Sequence, residues 1–284
     1  MHTLRLLYLA SIFCLFSVSA LAQQTTSTSS PPATSDPQAV ALVQQSLVAL
    51  VGKTTVSDVT LTGTANRIAG SDDETGTATL TAMAAGESEL NLNLPSGQLS
   101  EIRNSVGTSP GAPAGYTARV GAWSGPDGTI HMMASHNLLT DPTWFFPAFT
   151  LGNLASSQAY VLSYVGQGTL NGQAVLHISA AEQFPLLSSG PLQGLTLMQH
   201  LSQMELYLNA TTLLPVALDF NTHPDNNAGL DIPIQIQFSN YQSVNGVQVP
   251  LHLQKYLNNG LILDLQFSNA TLDSGLIATA FQIP

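Results

Sequence analysis

The stretch Ile232–Phe267, IPIQIQFSNYQSVNGVQVPLHLQKYLNNGLILDLQF, decides the fold. Ile232, Ile234, Ile236 and Phe238 alternate with Pro233, Gln235 and Gln237. Val247, Val249, Leu251 and Leu253 alternate with Gln248, Pro250 and His252, and Leu261, Leu263, Leu265 and Phe267 with Ile262, Asp264 and Gln266. Successive side chains of an extended chain point to opposite sides, so each run has one apolar and one wet face. Asn245-Gly246 and Asn259-Gly260 separate the runs, and both residue types tolerate the positive φ of a hairpin turn. The reading is three antiparallel strands with one solvated face.

Outward from this stretch the same period recurs. Leu214, Val216, Leu218 and Phe220 face away from Pro215, Ala217 and Asp219. Met204, Leu206 and Leu208 alternate with Glu205, Tyr207 and Asn209, Leu90, Leu92 and Leu94 with Glu89, Asn91 and Asn93, and Val59 and Leu61 with Asp58 and Thr60. Asn171-Gly172 and Gly125-Pro126-Asp127-Gly128 mark further turns. Ten or so strands result, with no alternation of strands and helices. The exceptions are a helix before the sheet, Asn137–Ser156, which loses the period with Asp141-Pro142 placed to open a short helix, and a helical turn over Leu195–Leu201. The first of these has Asp36 as cap, Pro37 in its first turn and Gly52 as stop, with Val40, Val43, Leu47, Leu50 and Val51 along one face.

The chain starts with a secretory leader: Arg5, an apolar run Leu6–Ala20, and a small-x-small site Ala20-Leu21-Ala22, with cleavage expected after Ala22. The one cysteine, Cys14, leaves with it, and Phe13 before it is too large for a lipid-attachment signal. The mature protein then holds no thiol. Residues 23–36, QQTTSTSSPPATSD, read as a disordered Ser/Thr/Pro linker, and 37–284 as a single domain. Periplasmic or secreted localisation follows, with no transmembrane segment after cleavage.

Charge is scarce: 6 Lys+Arg against 17 Asp+Glu in 284 residues, net −11, and 8% charged where about 25% is ordinary. Nucleic-acid binding and a polybasic membrane patch are excluded, because both need clustered cations. Enzyme signatures are thin too: H-E-x-x-H and G-x-G-x-x-G do not occur, and Gly52-Lys53-Thr54 lacks the upstream glycine of a phosphate loop, Leu47 standing there. His131 and His136 are five residues apart and do not share a strand face, so the histidines read as scattered and no metal site is assigned. Asp72-Asp73-Glu74 offers carboxylates for calcium, but reads as a solvated turn. Glu87 and Glu89 read as solvent-face residues. Trp144, Phe145, Phe146 and Phe149 form the densest aromatic group, with Met132 and Met133 upstream. They are candidates for a lid or wall over an apolar cavity, or they complete the core. An outer-membrane barrel would want aromatic girdles and a terminal aromatic strand, and the chain has neither.

Three segments carry a family likeness. Tyr207–Phe220, YLNATTLLPVALDF, resembles the strand–turn–strand hairpin of the LolA/LolB/RseB-like periplasmic proteins, and so do Phe238-Ser239-Asn240-Tyr241 and Val244–Pro250, VNGVQVP. The sequence is also similar to exported proteins of environmental bacteria. The resemblance implies a mainly β, α+β fold: one large curved antiparallel sheet of eleven or so strands, a half-barrel wrapped around the N-terminal helix, with a short helical lid. It further implies that the concave face holds acyl chains of lipoproteins or other lipids, with no cofactor and no catalytic residue. Segment 95–203 is longer than in a minimal carrier, and no ligand-contact residue carries over. The expectation is a non-enzymatic extracytoplasmic binder of a hydrophobic molecule, lipid or lipoprotein. The alternatives are a structural or sensory envelope protein with a filled core that binds a protein partner, and a secreted hydrolase.

Overall fold

The computed structural model describes residues 34–107, 118–140, 142–183 and 192–283. The expected signal peptide, linker residues 23–33 and Asp141 lie outside the described residues. Helix α1 (Pro37–Val51) forms as its ends dictate. Asp36 accepts from the Gln38 N–H at 2.8 Å, Pro37 stands in the first turn, and Gly52 closes the helix at φ 59°. Its buried side, Ala39, Val43, Ser46 and Leu50, packs into the core.

Two meanders follow. The first is β1 (Asp58–Ala69), β2 (Asp72–Met83), β3 (Ser88–Leu94), β4 (Gly97–Gly107), β5 (Ala118–Ser124) and β6 (Ile130–Met132). The second is β7 (Tyr160–Leu170), β8 (Gln173–Glu182), β9 (Met204–Asn209), β10 (Pro215–Thr222), β11 (Ile232–Val244), β12 (Val247–Leu257) and β13 (Gly260–Leu272). Pairing of β1 with β13 joins them into one antiparallel sheet of thirteen strands, β6-β5-β4-β3-β2-β1-β13-β12-β11-β10-β9-β8-β7. Consecutive strands β6 and β7 therefore stand at opposite edges. The connection between them, with a 3-10 turn at Ser135–Leu138 and helix α2 (Pro147–Ser156), has to travel from one edge to the other. It does so against the inner face, where α2 packs beside α1. Helix α3 (Leu192–Leu201) lies between β8 and β9 in the chain.

The sheet is open but strongly curled. Arg119 of β5 and Glu182 of β8 are ten strand spacings apart, about 48 Å if the sheet were flat. Their side chains meet at 3.1 Å. The result is a half-barrel with helices inside. Its edges are blunted by the brevity of β6 and by a bulge at Tyr164/Gly166 of β7, both guards against edge-to-edge pairing.

Several local expectations are corrected. Thirteen strands form, more than ten or eleven. The middle helix starts at Pro147, not Pro142, which sits in a turn. The β12–β13 turn is Asn258-Asn259, since Leu257 already pairs with Gly260. A register shift between Pro215 and Ala217 changes the phase of β10, burying those two while Val216 is half-buried. Asp72 and Asp73 are exposed, but they belong to β2, and the turn before them is Gly70-Ser71. Glu87 is buried rather than solvated. Asp58 is buried as well, accepting from Ser274 N (2.8 Å) and Oγ (2.7 Å), Gly275 N (3.0 Å) and Ser57 Oγ (3.1 Å). Burial raises this carboxyl, and the four donors more than offset that, leaving it below the usual range. Ser35 and Asp36, assigned to the linker, are tied to β7, with Asp36 N–H donating to Leu162 O at 2.8 Å.

Candidate functional site: the inner face and its rim

The strand register places the inner face in rows. One row runs Arg67, Leu263, Lys255, Ile236, Leu218, Leu206, Ile178, Tyr164 across eight strands. Another runs Leu61, Leu80, Leu90, Glu101, Trp123, His131 from β1 to β6. The first row is aliphatic from Ile236 to Ile178, with Arg67 and Lys255 toward one end and Tyr164 at the other, and the second is aliphatic from Leu61 to Leu90 and polar or aromatic beyond. The alternation in the sequence produced the aliphatic part. The rim arose where Arg67, Glu101 and Lys255 happen to fall in the inward phase.

The connection from β6 to β7 packs its rings into the core of the half-barrel. Trp144, Phe145, Phe146 and Phe149 are 2%, 1%, 0% and 4% exposed. Trp144 meets Phe145 edge-on with centroids 5.5 Å apart, and Phe146 meets Phe149 at 4.7 Å. The structure thus brings four of the five predicted residues together. Met132 is not among them: it is 60% exposed and pairs with Ala122, on the face opposite to Trp123 and His131.

What the aromatic segment leaves open is a cleft of about 240 Å³ at the rim. Leu90, Leu92, Leu99 and Leu263 wall it, with Trp123 at its mouth and Arg67, Lys255 and Glu101 around it. The Trp123 ring is 44% exposed and stacks on His131 at 4.2 Å. Lys255 Nζ stands 4.6 Å over the Trp144 ring, a cation–π contact that ties the rim to the plug. Arg103 Nε donates to Glu101 Oε1 at 2.8 Å. Burial raises the Glu101 carboxyl, but Arg103 and Lys255 more than offset this and hold it below the usual range. Burial also pushes the Lys255 ammonium down, against the opposing pull of Glu101.

A second cleft, of about 370 Å³, opens on the other face, where sequence reasoning placed nothing. It is lined by Glu205, Asp219, Gln235 and His200, among others. Glu205 and Asp219 are register partners on β9 and β10. Glu205 is held by His177 Nε2 (2.6 Å), Ser179 Oγ (2.8 Å) and Gln203 Nε2 (2.7 Å). Burial, and after it the Glu205 charge, raise Asp219 to about 6. Their place in the polar phase of two recognised strands was visible. Their adjacency was not, because it rests on a register set by the bulge in β10.

No protein-family model and no curated protein matches this sequence. Solved structures do match in shape. A domain of the outer membrane lipoprotein-sorting type from Vibrio parahaemolyticus is 13% identical over 86% of this chain and 96% of its own, with a TM-score of 0.50. A DUF1329 family protein from Desulfovibrio piger is 12% identical over 86% and 96%, at 0.51. A LolA superfamily protein from Nitrosomonas europaea is 10% identical over 86% and 97%, at 0.50. The chain has a LolA-like fold. In this LolA-like half-barrel eight strands supply the aliphatic part of the two rows, and the edge-to-edge connection crosses the inner face. Among the described residues no helix is long and apolar enough to cross a membrane.

Proposed function

We propose that this protein is a non-enzymatic, extracytoplasmic carrier of a hydrophobic ligand, held between the aliphatic inner face and the Trp144–Phe149 segment. The observation that carries the reading is the aliphatic cleft at the rim, which continues inward into rings supplied by one crossing connection. The leader-like first 22 residues supply the route out of the cytoplasm. The shared architecture with a lipoprotein-sorting domain agrees with it.

At about 240 Å³ the cleft is smaller than the ~300–1,000 Å³ of small-molecule sites, so a full acyl chain enters only as aromatic side chains move out. The energies allow this. Burying ten methylenes contributes about 8 kcal/mol, and exposing two large apolar side chains costs about 3–6 kcal/mol. The filled concavity itself favours a second reading, a structural or sensory envelope protein whose inner face is core and whose outer surface meets a protein partner.

Titration with 1-N-phenylnaphthylamine separates the two. The carrier reading expects saturable binding of one probe per chain, with a change in the emission of rim residue Trp123. Leu99→Glu, a half-buried cleft position, places a carboxylate beside Glu101 and abolishes the binding while the circular dichroism spectrum is kept. No saturable binding, or binding unaltered in Leu99→Glu, would sink the carrier reading and leave the filled-core one.

A further inference from the structure

Three histidines that are far apart in sequence converge at one end of the second meander. The β10–β11 connection leaves the sheet at His223 and re-enters at Asp231, so these two residues face each other across its neck. The last turn of α3 brings His200 over them. Asp231 Oδ1 accepts from His200 Nε2 at 2.9 Å and from His223 Nε2 at 3.0 Å, and the three atoms all lie within 4.8 Å of one another. His136, from the edge-to-edge connection, sits edge-on to His223 with ring centroids 5.9 Å apart, its Nε2 on Pro224 O at 3.2 Å.

We propose that His200, His223 and Asp231 form a binding site for one divalent transition-metal ion, with zinc the best match. Two imidazole nitrogens and one carboxylate oxygen are the donors of open, three-ligand zinc sites, and they disfavour calcium and magnesium, which want oxygen alone. Bonds of about 2.0–2.2 Å in tetrahedral geometry hold ligand atoms roughly 3.3–3.6 Å apart. The two contacts to Asp231 therefore lengthen by a few tenths of an ångström, and the two imidazole nitrogens, now within 4.8 Å, close by up to about 1 Å.

Proton bookkeeping also closes. Each imidazole now donates from Nε2. Metal binding needs the lone pair there, so the proton moves to Nδ1 and the ring stays neutral. His200 is 41% exposed at its side chain, where water serves its Nδ1. His223 Nδ1 is buried and has no hydrogen-bond partner among the described residues, so the exchange forfeits no bond there. Three protein donors leave a fourth position for water, and His200 also lines the neighbouring cleft.

The position gives the ion a mechanical consequence. Asn137, in the connection that carries the aromatic plug, donates from Nδ2 to His223 O at 2.8 Å and accepts the His223 N–H at 2.9 Å. An ion on His223 therefore fixes α3, the β10–β11 neck and the start of the plug segment together.

The test uses the full chain without an affinity tag, stripped with a chelator. Calorimetric titration with zinc chloride should show one ion per chain, and cobalt(II) should give the visible bands of a tetrahedral complex. His200→Ala and Asp231→Asn, both at exposed positions, should weaken binding about 100-fold or more, while His131→Ala leaves it unchanged. Absence of zinc binding by the parent protein overturns the proposal, and so does binding that survives in both His200→Ala and Asp231→Asn.

Discussion

Asp219 shows how a single outward-facing carboxyl records its surroundings. It lies beside Glu205 and under Tyr207, which burial and the two carboxylates raise to about 12. Asp219 itself is raised to about 6 against about 3.9 in the unfolded chain, so the folded protein binds the extra proton between these values. Stability from this group is therefore highest below pH 4 and is lost as pH rises through 6. Asp219→Asn removes the cost of the charge. In urea melts it should be more stable than the parent by about 1–2 kcal/mol at pH 7, after allowance for solvent screening, with no gain at pH 4. A gain that persists at pH 4, or a loss at pH 7, contradicts this account. Residues of this kind were the least legible ones in the sequence. Asp58 alternates with Val59 like any solvent-side residue, yet its donors at Ser274 and Gly275 stand 216 and 217 positions away. His223 and His200 likewise meet through a register and a helix placement that no local pattern contains.

At the scale of elements, the decisive one is the connection from β6 to β7. Its loss of the period-2 pattern was plain, and so was its aromatic content. Its helix start was misplaced, because Asp-Pro at 141–142 and Phe-Pro at 146–147 both offer a proline for the first turn. Tertiary packing of Phe146 and Phe149 selects the second. Its route from edge to edge follows only from the full strand order. Arg119 holds this connection and the gap behind it, donating to Leu139 O at 2.9 Å and pairing with Glu182 across the two edges. Burial raises Glu182, and Arg119 only partly offsets that. Arg119→Gln should destabilise the fold by about 1–3 kcal/mol, since it leaves a partly buried carboxylate without its cation. Adding Glu182→Gln should recover part of the loss. Hydrogen exchange should report the change first in β6, β7 and the connection, and exchange that is unaltered there would contradict the role of this pair as a latch.

For the whole molecule, the architecture was written in period and turns: alternating aliphatics give the sheet, and the capped helix gives the element it wraps. Curl and strand number were not written there, since they depend on how many strands pair before the inner face is covered. Scarcity of charge also takes a shape in three dimensions. Of the five cations among the described residues, Arg67, Arg103, Arg119 and Lys255 gather at the rim and gap of the half-barrel, and Lys53 follows α1. The interior behind them is aliphatic and aromatic, which is the lining the proposed hydrophobic ligand would need. The most direct test is native mass spectrometry, followed by organic extraction of the protein purified gently from the cells that make it. A carrier yields a mass above that of the chain and an extractable amphiphile in near-stoichiometric amount, lost in Leu99→Glu. A chain that comes out empty in repeated preparations contradicts the carrier reading.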